Sequence, residues 1–240
     1  MHLQFMPRLL YTCHHCAVHR ITKARSLHLP PPALPDLSTT TNRRLAPPQY
    51  ISRSPYPIFL LRNVLTPAQC DKLVAATEHI GYVPALTNDG TGAPEAYKPH
   101  LRRSLRCIVD APRFTDQLYR LVHSALEDDL DPPACGLNPR LRVLKYAVND
   151  RFVRHRDGVY VAADGASESR YTMQVYLNDG YTGGRTAVWV PEARGKRPVE
   201  VEVEKGMAVV FDHRVLHEGR AVEDGVKYVV RMDVMIATGR

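Results

Sequence analysis

Residues 199–211 read Val-Glu-Val-Glu-Val-Glu-Lys-Gly-Met-Ala-Val-Val-Phe, and this stretch decides the fold class. Residues 199–204 alternate strictly between valine and glutamate, which predicts a strand with one buried side and one side facing water. The apolar run at 207–211 predicts a second strand soon after the first. Two short strands in such close succession indicate a β architecture for this part of the chain.

The same period of two appears on both sides of this stretch. Further predicted strands lie at residues 141–148, 170–178, 186–190 and 227–236, separated by turns rich in Gly and Asp. Many short strands joined by such turns favour a sandwich or a barrel.

Two helices are predicted ahead of the strands. Thr66 and Gln69 have the spacing of a capping box, Pro67 suits a first helical turn, and Gly81 ends the pattern. Residues 112–126 carry one apolar face and predict the second helix. We therefore predict a mainly β protein of the α+β class, with helices within 66–126 packed outside a barrel formed by residues 140–237.

Composition and charge narrow the possible partners. The chain has 240 residues, of which 44% are hydrophobic, so it can bury a proper core. The net charge of +7 is concentrated in residues 1–55, which carry seven basic residues and one acid, whereas the rest has 25 basic and 24 acidic residues. This near-neutral remainder argues against a nucleic-acid partner. No apolar run is long enough to predict a membrane span.

Residues 1–55 are predicted to be a disordered, basic, proline-rich arm, and residues 56–240 a single folded domain. The first 35 residues contain no acid, so a mitochondrial transit peptide is the alternative to a plain extension. Cys13-His14-His15-Cys16 cannot close a zinc site without distant ligands. Five cysteines without a regular framework favour reduced thiols in an intracellular protein, cytoplasmic unless the arm directs it to mitochondria.

His155-Arg156-Asp157 follows a predicted strand, and His217 lies just beyond the apolar run at 207–211. A lone His-x-Asp occurs often by chance, but two histidines and one carboxylate form the facial triad of non-haem iron(II) oxygenases. Three ligands on one face of the metal leave positions open for a bidentate 2-oxo acid and O₂. We predict His155, Asp157 and His217 as catalytic metal ligands.

A 2-oxo diacid also needs a cation for its far carboxylate. Lys227 lies ten residues after His217, and alternation along 227–236 places Lys227 and Arg231 on the same side of that strand. Either could bind the carboxylate. A basic side chain that faces a barrel interior is costly unless it is paired, which favours a ligand-binding role for at least one of them.

These motifs resemble the prolyl 4-hydroxylase-like branch of the 2-oxoglutarate/iron(II) dioxygenases. The resemblance rests on three ordered segments, namely Tyr146…His155-Arg156-Asp157-Gly158, the strand 170–178 followed by Gly183-Gly184-Arg185-Thr186, and His217-Glu218-Gly219…Gly225-Val226-Lys227-Tyr228. The chain departs from the family where Arg185 replaces a frequent glutamate. Trp189 and a basic insert at 194–197 follow, and these changes could alter the choice of substrate.

The resemblance implies a double-stranded β-helix, the jelly-roll or cupin-like fold, with Fe(II) bound by His155, Asp157 and His217. It implies Lys227 as the 2-oxoglutarate anchor, in preference to Arg231, with Tyr146 and Thr172 as supporting hydrogen-bond donors. It further implies a dioxygenase that converts 2-oxoglutarate and O₂ to succinate and CO₂ while hydroxylating an unactivated C–H bond. L-ascorbate is a candidate accessory cofactor.

The substrate class stays open between a peptidyl residue and a small molecule. Arg102, Arg103 and Arg106 lie ahead of the barrel and either contact an anionic substrate or form a solvated basic turn. Two other functions are alternatives: a nucleic-acid demethylase of the alkylation-repair type, and a catalytically silent barrel that acts as a binding module.

Overall fold

The computed structural model of the chain describes residues 33–39, 44–87, 95–127, 129–190 and 198–239. All of them belong to one unit, residues 31–240. The predictions for the first 32 residues, which include Cys13-His14-His15-Cys16 and the transit peptide, lie outside the described residues. The basic insert at 194–197 lies outside them as well.

Both predicted helices are present, as α1 (Pro67–Ile80) and α2 (Pro112–Glu127). The Gln69 N–H donates to Thr66 Oγ1 at 3.2 Å, and the Thr66 N–H donates to Gln69 Oε1 at 2.8 Å, so the capping box forms as predicted. Gly81, with φ 98°, ends α1. Within the described part of the chain, no helix combines the length and apolar character needed to cross a membrane.

The rest of the described residues form sixteen strands and their connections. They are β1 (Gln49–Ser52), β2 (Ile58–Leu61), β3 (Val83–Pro84), β4 (Arg102–Arg103), β5 (Leu105–Asp110), β6 (Ala134–Leu137), β7 (Arg140–Tyr146), β8 (Arg151–His155), β9 (Ser167–Tyr176), β10 (Thr182–Gly183), β11 (Thr186–Trp189), β12 (Val199–Glu200), β13 (Ala208–Asp212), β14 (Leu216–Gly219), β15 (Val222–Asp224) and β16 (Lys227–Ala237).

Two antiparallel sheets carry the site. The larger sheet has the order β1-β2-β13-β9-β16-β7-β5-β3, with β6 also paired to β16, and the smaller has the order β12-β11-β14-β8-β4. Strands β10 and β15 form a separate pair. An apolar cluster that includes Tyr176 and Phe211 of the larger sheet and Val188 of the smaller one lies between the two sheets. The sheets therefore face each other, as in a jelly roll.

Side-chain alternation gives the larger sheet two different faces. On β16, Val230, Met232 and Val234 belong to an apolar cluster that also contains buried side chains of α1 and α2. Lys227 and Arg231, on the opposite side of the strand, line a cavity between the sheets. The predicted mainly β jelly roll with helices packed outside is confirmed.

Some predicted boundaries were wrong. Of the strand expected at 199–204, only β12 pairs with a neighbour. Its partner β11 is four residues long, and the two strands pair only at Val188↔Val199 and Ala187↔Glu200. Val201 is still buried, so the alternation of burial continues without a sheet ladder. His155 is the last residue of β8 and His217 lies within β14, so neither histidine lies beyond a strand end.

The boundary predicted at residue 55 is too late. Leu37 is fully buried, and its N–H donates to Gln117 of α2 at 2.9 Å. Strand β1 pairs with β2 and extends the larger sheet. These contacts come from single apolar residues set among prolines, so no periodicity revealed them.

Gly206 offers a stability test of the tight turn before β13. Its φ is +85°, and an added Cβ would lie 2.0 Å from the Leu65 carbonyl oxygen. Gly180 has a similar φ of +77° but open space around its Cα. We expect Gly180→Ala to cost about 1–2 kcal/mol for the left-handed backbone. Gly206→Ala should cost roughly 2 kcal/mol more, because the Leu65–Gly206 hydrogen bond must also shift. Urea unfolding of both variants checks this, and equal losses would contradict it.

Candidate metal centre

Three side chains of the smaller sheet and its edge converge on one point. The ligand atoms of His155, Asp157 and His217 lie within 4.8 Å of one another. Strands β8 and β14 are antiparallel neighbours in which His155 pairs directly with His217, so both imidazoles leave the sheet side by side. Their ring centroids are 4.2 Å apart. Asp157 lies two residues after His155. In an extended backbone this spacing directs both side chains to the same side of the chain.

Backbone carbonyls fix how the two histidines are presented. His155 Nδ1–H donates to the Val153 carbonyl at 2.8 Å, and His217 Nδ1–H donates to the Val215 carbonyl at 3.0 Å. These bonds leave each Nε2 with a free lone pair, and the Nε2 atoms of His155 and His217 lie 3.9 Å and 3.7 Å from the carboxylate oxygens of Asp157. A ligating histidine ordinarily has its second ring nitrogen held in this way. This donor set fits a divalent metal.

Burial keeps both histidines neutral. It lowers the pKa of His155 to about 3, with a further contribution from His217, and it lowers the pKa of His217 below its ordinary value. Burial alone would raise the pKa of Asp157. The positive charge of Arg231 and the hydrogen bond from Thr172 outweigh this effect and hold the pKa of Asp157 well below its usual range. Neutral imidazoles and an ionised carboxylate are the protonation states that metal binding needs.

Arg231 holds the carboxylate of Asp157 in place. Its Nη2 lies 3.1 Å from Asp157 Oδ1, and its Nη1 lies 3.0 Å from Asp233 Oδ1. Asp233 in turn accepts from Arg142 at 2.9 Å and from Asn138 at 3.2 Å. This buried network behind the candidate metal ligands was not predicted from the sequence. The pattern Arg-x-Asp on one strand was visible, but its partner Asp157 is distant in the chain.

Thr172 is also directed at Asp157. Its hydroxyl donates to Asp157 Oδ2 at 2.5 Å and accepts from Arg231 Nη2 at 3.2 Å. Both oxygens of the carboxylate therefore have a protein donor. Thr172, predicted as a hydrogen-bond donor to 2-oxoglutarate, lies in this cavity with its hydroxyl positioned on the carboxylate of Asp157.

Lys227 and the three candidate metal ligands line the same cavity. The volume of this cavity is about 800 Å³. Lys227 is 3% exposed, and its ammonium donates to the Gly184 carbonyl at 2.5 Å. The rings of Tyr146 and Tyr176 lie 5.5 Å and 5.6 Å from Nζ. Among the described residues Lys227 has no carboxylate partner, and burial lowers its pKa to about 7. A buried cation in this setting is ready to receive an anion.

The three arginines ahead of the barrel are separated by the fold. Arg102 and Arg106 line the cavity, whereas Arg103 points away and pairs with Asp150 at 3.0 Å. Arg185 lies outside this cavity, within 3.9 Å of Glu200 on the neighbouring strand. Trp189 is covered by the guanidinium of Arg154, 4.6 Å from the ring centroid.

A jelly roll with two Nε2-presenting histidines and a carboxylate in one cavity has the arrangement typical of non-haem iron oxygenases. Residues 141–232 match the model of the 2OG-Fe(II) oxygenase superfamily. The family resemblance predicted from the sequence is confirmed for this part of the chain.

Solved structures share the fold at low sequence identity. A viral collagen prolyl hydroxylase from Paramecium Bursaria Chlorella virus-1, in its 2OG complex, has a TM-score of 0.52 at 18% identity over 75% of this chain and 96% of its own. A Pseudomonas putida prolyl-4-hydroxylase has a TM-score of 0.55 at 17% identity, over 74% of this chain and 91% of its own. These matches show that the fold is prolyl 4-hydroxylase-like.

One further solved structure and one sequence relative are also similar to this chain. A prolyl hydroxylase from Trichoplax adhaerens, solved with a hypoxia inducible factor peptide, has a TM-score of 0.53 at 13% identity, over 74% of this chain and 82% of its own. An uncharacterised protein of Fowlpox virus (strain NVSL) is 24% identical over 136 residues, which are 56% of this chain. The chain spans 30% of the length of that viral relative.

Proposed function

We propose that this chain is an iron(II)- and 2-oxoglutarate-dependent dioxygenase that hydroxylates an unactivated C–H bond. His155, Asp157 and His217 bind the metal, and Lys227 binds the far carboxylate of 2-oxoglutarate. When bound, iron and 2-oxoglutarate supply the oxidising chemistry: O₂ is reduced, 2-oxoglutarate becomes succinate and CO₂, and one oxygen atom enters the substrate.

The buried Lys227 is the observation that carries this proposal. A metal-binding cluster alone would fit many enzymes, but here a desolvated cation without a described carboxylate partner shares its cavity with the cluster. A dicarboxylic 2-oxo acid can satisfy both sites at once, because one end chelates the metal and the other neutralises the ammonium. Tyr146 and Tyr176 form the walls around the ammonium.

Other side chains hold and shield the metal ligands. Thr172 and Arg231 bind both carboxylate oxygens of Asp157 and so fix its orientation. The Phe152 ring stacks on His155 with centroids 3.5 Å apart, and the Phe211 ring lies 4.6 Å from that of His217. These rings exclude water from the imidazoles and keep them from rotating. The protein thus positions the reactants and protects the reactive centre.

The alternatives make different predictions. A silent binding module would retain no iron on purification and form no succinate. A nucleic-acid demethylase would bind DNA with an affinity that falls steeply with salt. Iron-dependent succinate formation, screened against peptides and metabolites, tests the proposed activity. Stimulation by L-ascorbate in the same assay tests its role as accessory reductant.

The low pKa of Lys227 predicts that 2-oxoglutarate binding depends on pH. Only the charged ammonium binds the carboxylate, and in the free protein it titrates at about 7. Below pH 7 the lysine is already protonated, so affinity should be flat. Above pH 7 binding must take up a proton, so affinity should fall by up to about tenfold per pH unit. Calorimetry on Mn(II)-loaded protein between pH 6 and about 9 measures this.

Lys227→Arg is the matched control, because an arginine stays charged throughout this range. Its affinity for 2-oxoglutarate should lose the decline above pH 7. A wild-type affinity that does not change with pH, or an equal decline in Lys227→Arg, would contradict the assignment of this titration to Lys227.

A further inference from the structure

The cavity carries more positive charge than its own carboxylates can neutralise. Seven lysine and arginine side chains line it, against four aspartates and glutamates. Binding Fe(II) together with the 2-oxoglutarate dianion adds no net charge, so the excess remains in the loaded site. It must be balanced by solvent ions or by the substrate.

Most of the lining charges are already paired. Arg142 pairs with Asp233 at 2.9 Å, and Arg106 pairs with Glu95 at 2.8 Å. Glu218 pairs with Arg220 at 2.7 Å.

Three arginines of the lining make no ion pair with any residue that the structure describes, namely Arg102, Arg154 and Arg156. Arg154 and Arg156 are exposed, so water screens their charge.

Arg102 is held in a defined orientation next to the metal ligands. It lies on β4, at the edge of the smaller sheet, directly opposite Phe152 of β8. Its guanidinium carbon lies 4.7 Å from the Phe152 ring centroid, and the other interaction of that ring is the stack on His155. Arg102 Nε donates to Ser104 Oγ at 3.0 Å. Within the described residues its two terminal nitrogens donate no hydrogen bond, which leaves a preorganised fork for an oxyanion.

The cavity also has an apolar side at its mouth, the opening to solvent. Val159 and Tyr160 follow Asp157 closely, line the cavity and are 61% and 42% exposed. Exposed apolar side chains beside a site are typical of a surface that a ligand covers. The mouth therefore offers one fixed cation and one apolar wall.

We propose that the primary substrate is a small organic acid whose carboxylate or phosphate group binds Arg102 at the mouth of the cavity, with its apolar part against Val159 and Tyr160. This inference rests on the proposed function, because the anion is useful only if it places a C–H bond near the metal centre. It goes further by assigning the charge class of the substrate and the residue that recognises it.

Inorganic phosphate and acetate serve as probes of this anion site. Mn(II) replaces iron, 2-oxoglutarate is added to saturation, and paramagnetic broadening of the phosphorus and acetate methyl resonances reports anions held near the metal. We expect saturable broadening in the wild type and in Arg103→Gln, whose arginine lies on the same strand but outside the cavity. Arg102→Gln should weaken the apparent affinity about tenfold or more, and Arg102→Lys should restore part of it. Comparison of the two anions shows which group is preferred.

Two results would overturn the inference: no saturable broadening in the wild type, or equal broadening in wild type and Arg102→Gln. The metal and 2-oxoglutarate affinities are measured first in the same samples. If these ligands bind and the anions do not, the inference fails and the proposed function stands. If neither metal nor 2-oxoglutarate binds, it is the proposed function that fails.

Discussion

Replacing His217 with alanine should abolish both metal binding and turnover. His217 is 7% exposed, and its Nε2 is one of the three ligand atoms in the cluster. Its loss leaves one histidine and one carboxylate, which cannot occupy a full face of an octahedral metal. We expect no Fe(II) retained after desalting and no succinate above background. The effect should exceed that of any single substitution outside the three candidate metal ligands.

His155→Ala should behave in the same way, and Asp157→Asn should be severely impaired, because the amide lacks the negative charge that Arg231 and the metal share. His123→Ala is the matched control, since His123 lies on α2 and pairs with Glu127 at 3.3 Å. It should retain metal and activity. Full activity in His155→Ala or His217→Ala, with the fold intact by circular dichroism, would refute the triad.

The second large effect concerns Lys227. Lys227→Ala should raise the apparent KM for 2-oxoglutarate about 10–1000-fold, as expected for the loss of one partner of a buried charged pair worth roughly 2–4 kcal/mol. Iron affinity should change little, because Lys227 Nζ donates to the Gly184 carbonyl and not to a candidate metal ligand. Steady-state kinetics and metal titration on the same variant separate the two effects.

Arg231→Ala should give the opposite pattern. Arg231 is already paired with Asp157 and Asp233, so it has little left to offer a co-substrate. Its loss should lower metal affinity by freeing the carboxylate of Asp157, with a smaller effect on the KM for 2-oxoglutarate. If Arg231→Ala raised that KM strongly and Lys227→Ala did not, the anchor would be Arg231, although the triad would survive.

The order of motifs along the chain was enough to predict the fold and the candidate ligands. His155, Asp157 and His217 were singled out by residue type and by their place next to apolar strands, and the structure brings them together. Periodicity predicted α1 and α2 because each has an amphipathic face. Periodicity missed β8, because polar and apolar residues do not alternate in its sequence Arg-Phe-Val-Arg-His. It also missed β14, which is four residues long.

The contacts that the sequence could not predict join residues that are far apart along the chain. The contact of Arg231 with Asp157 requires β16 to lie in the sheet opposite β8, and no local pattern encodes that distance. The burial of Leu37 similarly requires a complementary site beside α2. Arg102 and Arg103 are adjacent in sequence, but alternation along β4 directs their side chains to opposite sides. This strand has two residues and is too short to recognise from the sequence.

An anaerobic titration of the iron(II)-loaded protein with 2-oxoglutarate tests the central claim most directly, because it needs neither O₂ nor a known substrate. We expect one 2-oxoglutarate bound per iron, with a visible charge-transfer absorption from chelation of the 2-oxo acid. Binding should weaken strongly in Lys227→Ala and without metal, and succinate should give no such absorption. If 2-oxoglutarate bound equally well with and without iron, or failed to bind to iron-loaded protein, the assignment of this cavity as an iron and 2-oxoglutarate site would be contradicted.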